Sequence, residues 1–294
     1  MDMTLNQNAA AEMWRPVILT FESACSFDNP FLDVEIWAEF TGPSGRVIRR
    51  EAYWDGGRTY CVSFAPTELG AWNYVIEAPE QTGLNGRTGN VEAVPYEGEL
   101  DLYRHGFIRV ADNPHVFAYA DGTPFFWLGD THREFAYRES WDKSNHPGMT
   151  SQFRGMVDLR VEQGFTVYQT NLRSDMGARD RYWIDGGMAK GAEDLPNVAF
   201  YQQELDRRMA YIADAGLVNA LGQAWAFSIR GEHGVEHQKH LARYLVARYG
   251  AYPMVWTLAG EVAGYGKEDR AALIDGWREV ALEIEARDGY GHLA

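Results

Sequence analysis

The residues able to do chemistry in this chain sit where apolar runs stop. Met254-Val255-Trp256-Thr257-Leu258 passes through Ala259-Gly260 and ends at the carboxylate of Glu261. Three earlier runs end in the same way, at Asp130 and His132, at Asn171 and Arg173, and at Gln223 and Trp225. Runs this short, bounded by turn residues and alternating with helical patterns, read as buried parallel strands. The C-terminal edge of such strands is where parallel α/β folds place reactive groups. If the strands are neighbours, these side chains share one mouth. Amides and carboxylates bind hydroxyls, an indole stacks on a ring, and a protonated carboxyl can donate to a glycosidic oxygen, so the set suits a sugar. Each residue also has a structural explanation. Asp130 serves as a loop cap, His132 as a satisfied histidine, Asn171 and Gln223 as partners of loop backbone, Trp225 as core, and Glu261 as a solvated loop residue.

The elements that must position these groups follow from periodicity. After Pro124 the chain alternates strand and helix. Strands are expected at 125–130, 165–172, 217–223 and 254–258, with helices at 150–163, 201–215, 235–249 and 267–287. Four βα units in a row imply a parallel sheet covered by helices, either an open doubly wound sheet or a barrel, and the first strand carries no dinucleotide-binding glycine fingerprint, which counts against the open sheet. A closed (β/α)8 barrel takes about 250 residues, whereas 170 follow Pro124. The expected architecture is therefore a TIM-barrel-type domain cut to about half, β1 to α4 of the barrel, over residues 124–294. Upstream, residues 14–95 alternate in period two between polar turns such as Asp55-Gly56-Gly57, which predicts an antiparallel, immunoglobulin-like β-sandwich. Residues 1–13 read as a disordered N-terminus and 96–123 as a connecting hairpin.

Composition narrows the partners. A net charge of −15 and a pI near 4.9 oppose binding to nucleic acid or an anionic membrane surface. Fourteen per cent aromatic residues supply core filler and flat platforms for sugar rings. Cys25 and Cys61 read as free thiols. The polar N-terminal residues show no secretory h-region, so cytoplasmic residence is expected if Met1 is the natural start. Asp130-Thr131-His132 lacks the first histidine of a His-x-His metal pair. His233, His237 and His240 do not form a His-Glu-x-x-His motif. No metal and no cofactor is expected.

At this point the residues carry a resemblance. Residues 14–95, with Phe31-Leu32-Asp33-Val34 and Tyr53-Trp54-Asp55-Gly56-Gly57, resemble the β-sandwich domain DUF5060. Residues from about 105 onward are similar to the apiosidase-like DUF4038 catalytic domain, through Asp121-Gly122-Thr123-Pro124-Phe125-Phe126-Trp127-Leu128-Gly129-Asp130-Thr131 and Gly260-Glu261. The resemblance implies a retaining glycoside hydrolase with a (β/α)8 fold and Glu261 as acid/base, its proton held by a neighbouring carboxylate. Such enzymes carry the nucleophile after the seventh strand, which is expected beyond residue 294. Asp130, His132, Asn171, Gln223 and Trp225 would hold a carbohydrate substrate derived from plant or bacterial polysaccharide. Two other readings stay open. One is a half-barrel that binds sugar without cleaving it, or that needs a second chain or copy to be completed; the other is a metal-dependent barrel hydrolase.

Overall fold

The computed structural model describes residues 7–133, 135–136, 139–144, 146–172, 182–184, 194–230, 234–262 and 269–294. The N-terminal part is two facing sheets. One has the strand order β1-β8-β7-β3-β4 and the other β2-β6-β5. The strands are β1 (Gln7–Glu12), β2 (Val17–Glu22), β3 (Trp37–Thr41), β4 (Val47–Glu51), β5 (Tyr53–Trp54), β6 (Thr59–Phe64), β7 (Gly70–Glu77) and β8 (Thr88–Val94). Alternation sends Ala38, Phe40, Trp72, Tyr74, Ile76 and Val91 into one core between the sheets, with polar neighbours outside. One strand departs from the sequence reading. Residues 7–12, expected as disordered, pair parallel with β8 from Gln7↔Gly89 to Glu12↔Val94, because Ala11 is small enough to join the core edge. β8 itself anchors on Val91 and Ala93.

A short helix, α1 (Asp101–Arg104), leads into an antiparallel meander of β9 (Ile108–Val110), β10 (Phe117–Tyr119) and β11 (Pro124–Phe125). Phe125 therefore belongs to this meander, paired with Phe117, and not to the first parallel strand. That strand, β12 (Gly129–His132), starts later. The intervening Phe126 is 74% exposed.

β12, β13 (Val167–Asn171), β14 (Val218–Trp225) and β15 (Met254–Gly260) form one parallel sheet in that order. The connecting helices are α2 (Gln152–Glu162), α3 (Asp206–Asp214), α4 (Gly234–Tyr249) and, after β15, α5 (Arg270–Arg287). Ser151 caps α2 by accepting from the Arg154 backbone N–H. One π-turn, Tyr201–Leu205, precedes α3. Helices and sheet share a core of Phe153, Tyr168, Met209, Leu221, Leu245 and Trp256. Under the opposite face, Val167, Val218, Ala220 and Val255 pack with Phe125 and Tyr119 of the meander. After α5, the Leu293 carbonyl accepts from the Trp256 backbone N–H at 2.8 Å, alongside β15.

Buried arginines fix the β-rich part to the α/β part. Arg50 donates to the Val246 and Ala247 carbonyls at the end of α4. Glu51 accepts from Arg243 of α4 and Arg287 of α5, each at 2.6 Å. Arg248 reaches Asp55 at 2.8 Å. Such pairs fix the relative placement more than they add stability, since their desolvation cost nearly cancels their attraction. Cys25 and Cys61 are free. Among the described residues no helix is long and apolar enough to cross a membrane.

Candidate active site

A strand alternates sides, so a residue's parity decides whether it faces the helices or the mouth of the sheet. In β12 the odd position faces the mouth. Thr131 lines a cleft there, with Arg133 after it. Asp130 and His132, placed at the site by the sequence reading, face the helix layer instead. Asp130 accepts from Arg160 Nε of α2 at 2.5 Å and from the Thr131 N–H at 2.8 Å. Burial pushes its carboxyl up, but the hydrogen bonds to Arg160 and Thr131 and the Arg160 charge outweigh that and hold it low. His132 is buried between Tyr168 OH and Glu139 Oε1, both at 2.7 Å, and lies against Phe153. It is a satisfied core histidine.

In β13 the mouth-facing residues are Gln169 and Asn171. Gln169 Oε1 accepts from the Thr131 hydroxyl at 3.0 Å, and Asn171 Nδ2 donates to the Ala224 carbonyl at 3.2 Å. In β14 an irregularity resets the alternation. Pairing with β15 shifts between Leu221, Gly222 and Ala224, so Gln223 and Ala224 both pack toward the helices. Gln223 is buried there and donates to the Gln238 carbonyl and side chain on α4. Trp225 then turns to the cleft. Gln223, also expected at the site, is a structural residue of the helix layer.

β15 contributes Thr257, Ala259, Gly260 and Glu261. Leu258 and Glu261 have φ of 52° and 60°, left-handed values that cost a non-glycine residue on the order of 1 kcal/mol or more. Glu261 is exposed and lines the same cleft as Trp225 and Asn171. Gly260 has no side chain where one would fall 2.2 Å from Trp225 Cε3 and Cζ3, so the indole packs on bare backbone. Arg133 holds its guanidinium over the Trp225 ring, 5.2 Å from the centroid.

The cleft so formed encloses about 240 Å³, below the roughly 300–1,000 Å³ of drug-sized sites, and suits one small ring. Among its described lining residues Glu261 is the one carboxylate, so the neighbouring acid expected to hold its proton is not among them. Larger hollows, one at Arg15, Tyr103 and Tyr252 and one between α2 and α3, gather no strand-end groups. His237 and His240 both bond the buried Asp194 at 2.8 Å. No group of three metal-ligating side chains occurs among the described residues. Arg173 and His233 lie outside the described residues. Tyr182 and Trp183 are fully buried core. Sequence reasoning missed Thr131, Arg133, Gln169 and Thr257; strict alternation from Asn171 would have found Gln169.

Comparison with known proteins places this geometry. A crystal structure from Bacteroides vulgatus ATCC 8482, assigned as a glycoside hydrolase, matches with TM-score 0.73 and 23% identity over 98% of this chain and 55% of that one. The chain thus spans about half the length of that protein. The AHE enzyme from Alicyclobacillus herbarius matches at TM-score 0.38 and 14% identity, over 57% of this chain and 47% of the other. A β-glucuronidase from Ruminococcus gnavus matches at TM-score 0.34 and 10% identity, over 93% and 39%. Neither of these two supports an inference. A comparison with curated proteins finds no match. The model of the domain of unknown function DUF5060 matches residues 10–79, and that of the apiosidase-like catalytic domain matches residues 111–293. With that second match running from the meander through the whole parallel sheet, the chain belongs to the apiosidase-like catalytic-domain family and carries a DUF5060 domain ahead of it.

Proposed function

We propose that the cleft is a sugar subsite of a retaining glycoside hydrolase and that Glu261 is its acid/base. The observation that carries this reading is the meeting of Glu261, Trp225, Asn171 and Gln169 at the C-terminal edge of a parallel sheet. In the first step the Glu261 carboxyl passes its proton to the glycosidic oxygen as the bond from the anomeric carbon to that oxygen breaks and a nucleophilic carboxylate bonds to the carbon. In the second step the Glu261 carboxylate takes a proton from water, whose oxygen replaces the enzyme at the anomeric carbon. The nucleophile belongs, on this reading, outside the described cleft. Asn171 and Trp225 hold the ring. The four-stranded sheet is read as the first half of a (β/α)8 barrel and the two facing sheets as an immunoglobulin-like scaffold, with oligosaccharides from plant or bacterial polysaccharide as substrates.

The test is hydrolysis of a panel of 4-nitrophenyl pentosides and hexosides, with the first-formed anomer of the product identified by proton NMR. Retention is expected. Inversion removes the two-step scheme, and turnover of no glycoside removes the hydrolase reading. A second reading, sugar binding without cleavage, is favoured by the single carboxylate among the described lining residues. Sugar binding with no turnover of any panel member would select it.

A further inference from the structure

Two polar side chains on the cleft floor have no part in the acid/base scheme. Gln169 is half-buried, and its carbonyl oxygen is occupied by the Thr131 hydroxyl at 3.0 Å. That bond fixes the amide with its nitrogen turned away from Thr131, and the nitrogen donates to no described residue. A primary amide has two N–H donors, and a held amide with both unspent is poised for an acceptor that arrives later. Thr257 repeats the pattern on the far side. Its hydroxyl is shielded from solvent and has no partner among the described residues.

Gly222 of β14 pairs with Asn171 and lies between that residue and Thr257. A side chain there would come 2.8 Å from Asn171 Nδ2 and 3.3 Å from Thr257 Oγ1, so the glycine is what lets both groups approach. β13 and β15 flank β14, and Gln169 is level through Ala220 with Val255, so Thr257 stands two residues further along and the two backbones are about 12 Å apart. Both unspent groups are neutral and form hydrogen bonds. A hydroxyl set on this floor finds a donor at one end and a donor-acceptor at the other, while the charged groups of the cleft, Arg133 and Glu261, are exposed.

Resting on the reading of the cleft as a sugar subsite, we propose that Gln169 and Thr257 determine which sugar it accepts, with Thr131 as the positioning residue that orients Gln169. The Gln169 amide donates to one ring hydroxyl and the Thr257 hydroxyl bonds a second. The ligand class is a sugar unit with both hydroxyls free; a ring deoxygenated or O-methylated at either is rejected.

The experiment uses the full chain and free pentoses and hexoses with their deoxy analogues. Binding is followed by tryptophan fluorescence, turnover by the matching 4-nitrophenyl glycosides, and folding by the thermal midpoint. Gln169→Met keeps the side-chain length and removes both donors. It should weaken the parent sugar by about 10- to 100-fold and the analogue lacking the partner hydroxyl by no more than about threefold. Thr257→Val should do the same for the other hydroxyl while the thermal midpoint holds or rises, and Thr257→Ser should restore binding. Thr131→Val should raise KM on the parent glycoside with kcat little changed, because it loosens an orientation and removes no ligand contact. If Gln169→Met and Thr257→Val bind as the unsubstituted chain does, the assignment is overturned and the hydrolase reading stands. Equal weakening on parent and deoxy sugars, or a midpoint that falls in step with binding, also overturns it. A chain that neither binds nor cleaves any member of the panel overturns both.

Discussion

Replacing Gly260 by alanine tests how the cleft wall is built. Gly260 is not among the residues with φ in the left-handed region, so the backbone accepts a side chain and the effect is steric. The new methyl would lie 2.2 Å from both Cε3 and Cζ3 of Trp225 and 3.0 Å from Cη2. Carbon atoms pack at about 3.5–4.0 Å, so the indole must move by more than about 1 Å. Overpacking of this kind costs about 1–3 kcal/mol. The low end applies, because Trp225 is half-buried and has open cleft on one side. Misplacing a group that orients the reacting sugar by about 1 Å costs on the order of 100-fold in turnover. The assay is a double-mutant cycle of Gly260→Ala with Trp225→Ala, reading both the denaturation midpoint and kcat/KM on the glycoside that the unsubstituted chain turns over best. If the clash is the cause, the Gly260→Ala penalty disappears once Trp225 is alanine, giving a coupling of about 1 kcal/mol in stability. Additive effects, or a Gly260→Ala chain with unchanged kcat/KM, would refute the reasoning.

Other outcomes follow from the same contacts. Glu51→Ala takes the carboxylate at 2.6 Å from Arg243 and Arg287, leaving Arg243 with Glu35 at 3.9 Å and Arg287 with Glu35 and Glu283, and should cost about 3 kcal/mol, the low end for a broken buried pair, in urea denaturation. The Asp288 carboxyl stays near pKa 2, against an ordinary 3.8; burial raises it, but the charge and hydrogen bond of His292, Arg50 and the Tyr290 N–H hold it down. A folded value below the unfolded one stabilises the fold above about pH 4, and that contribution, about 2 kcal/mol, is lost as pH falls toward 2. Asp288→Asn should flatten this acid limb in denaturation curves taken between pH 2 and 5. Glu261→Asn should raise stability by about 1 kcal/mol, since asparagine tolerates a φ of 60°, and eliminate turnover. Gln223→Leu should lower the midpoint through loss of the bonds to Gln238 while leaving sugar affinity within about twofold, because the side chain is on the helix side of the sheet.

The parallel βα rhythm was legible because it rests on periodicity. The helix expected at 235–249 occupies 234–249, and the strand expected at 254–258 occupies 254–260. What escaped is set by packing. Phe125 looks like the start of a parallel strand until Phe117 is seen to pair with it. The Ala-rich residues 7–12 carry little β propensity and become a strand only because β8 offers an edge. At the site, polar residues at strand tips were recognisable, but which of two adjacent residues faces the mouth was not. A start displaced by a few residues in β12 exchanged Thr131 for Asp130 and His132. The irregularity at Gly222–Ala224 separated Trp225 from Gln223 although they stand two apart. No local pattern announces such a bulge, which arises from the pairing of two strands distant in sequence.

The central claim is that Glu261 donates the proton that lets the sugar depart. The most direct measurement is kcat/KM of Glu261→Gln on two substrates of the same sugar, one with a 2,4-dinitrophenyl leaving group and one with an alkyl leaving group. The account predicts a loss of about 100-fold or more on the alkyl glycoside, with the dinitrophenyl glycoside affected far less, because that leaving group needs no proton. Equal losses on both would contradict it.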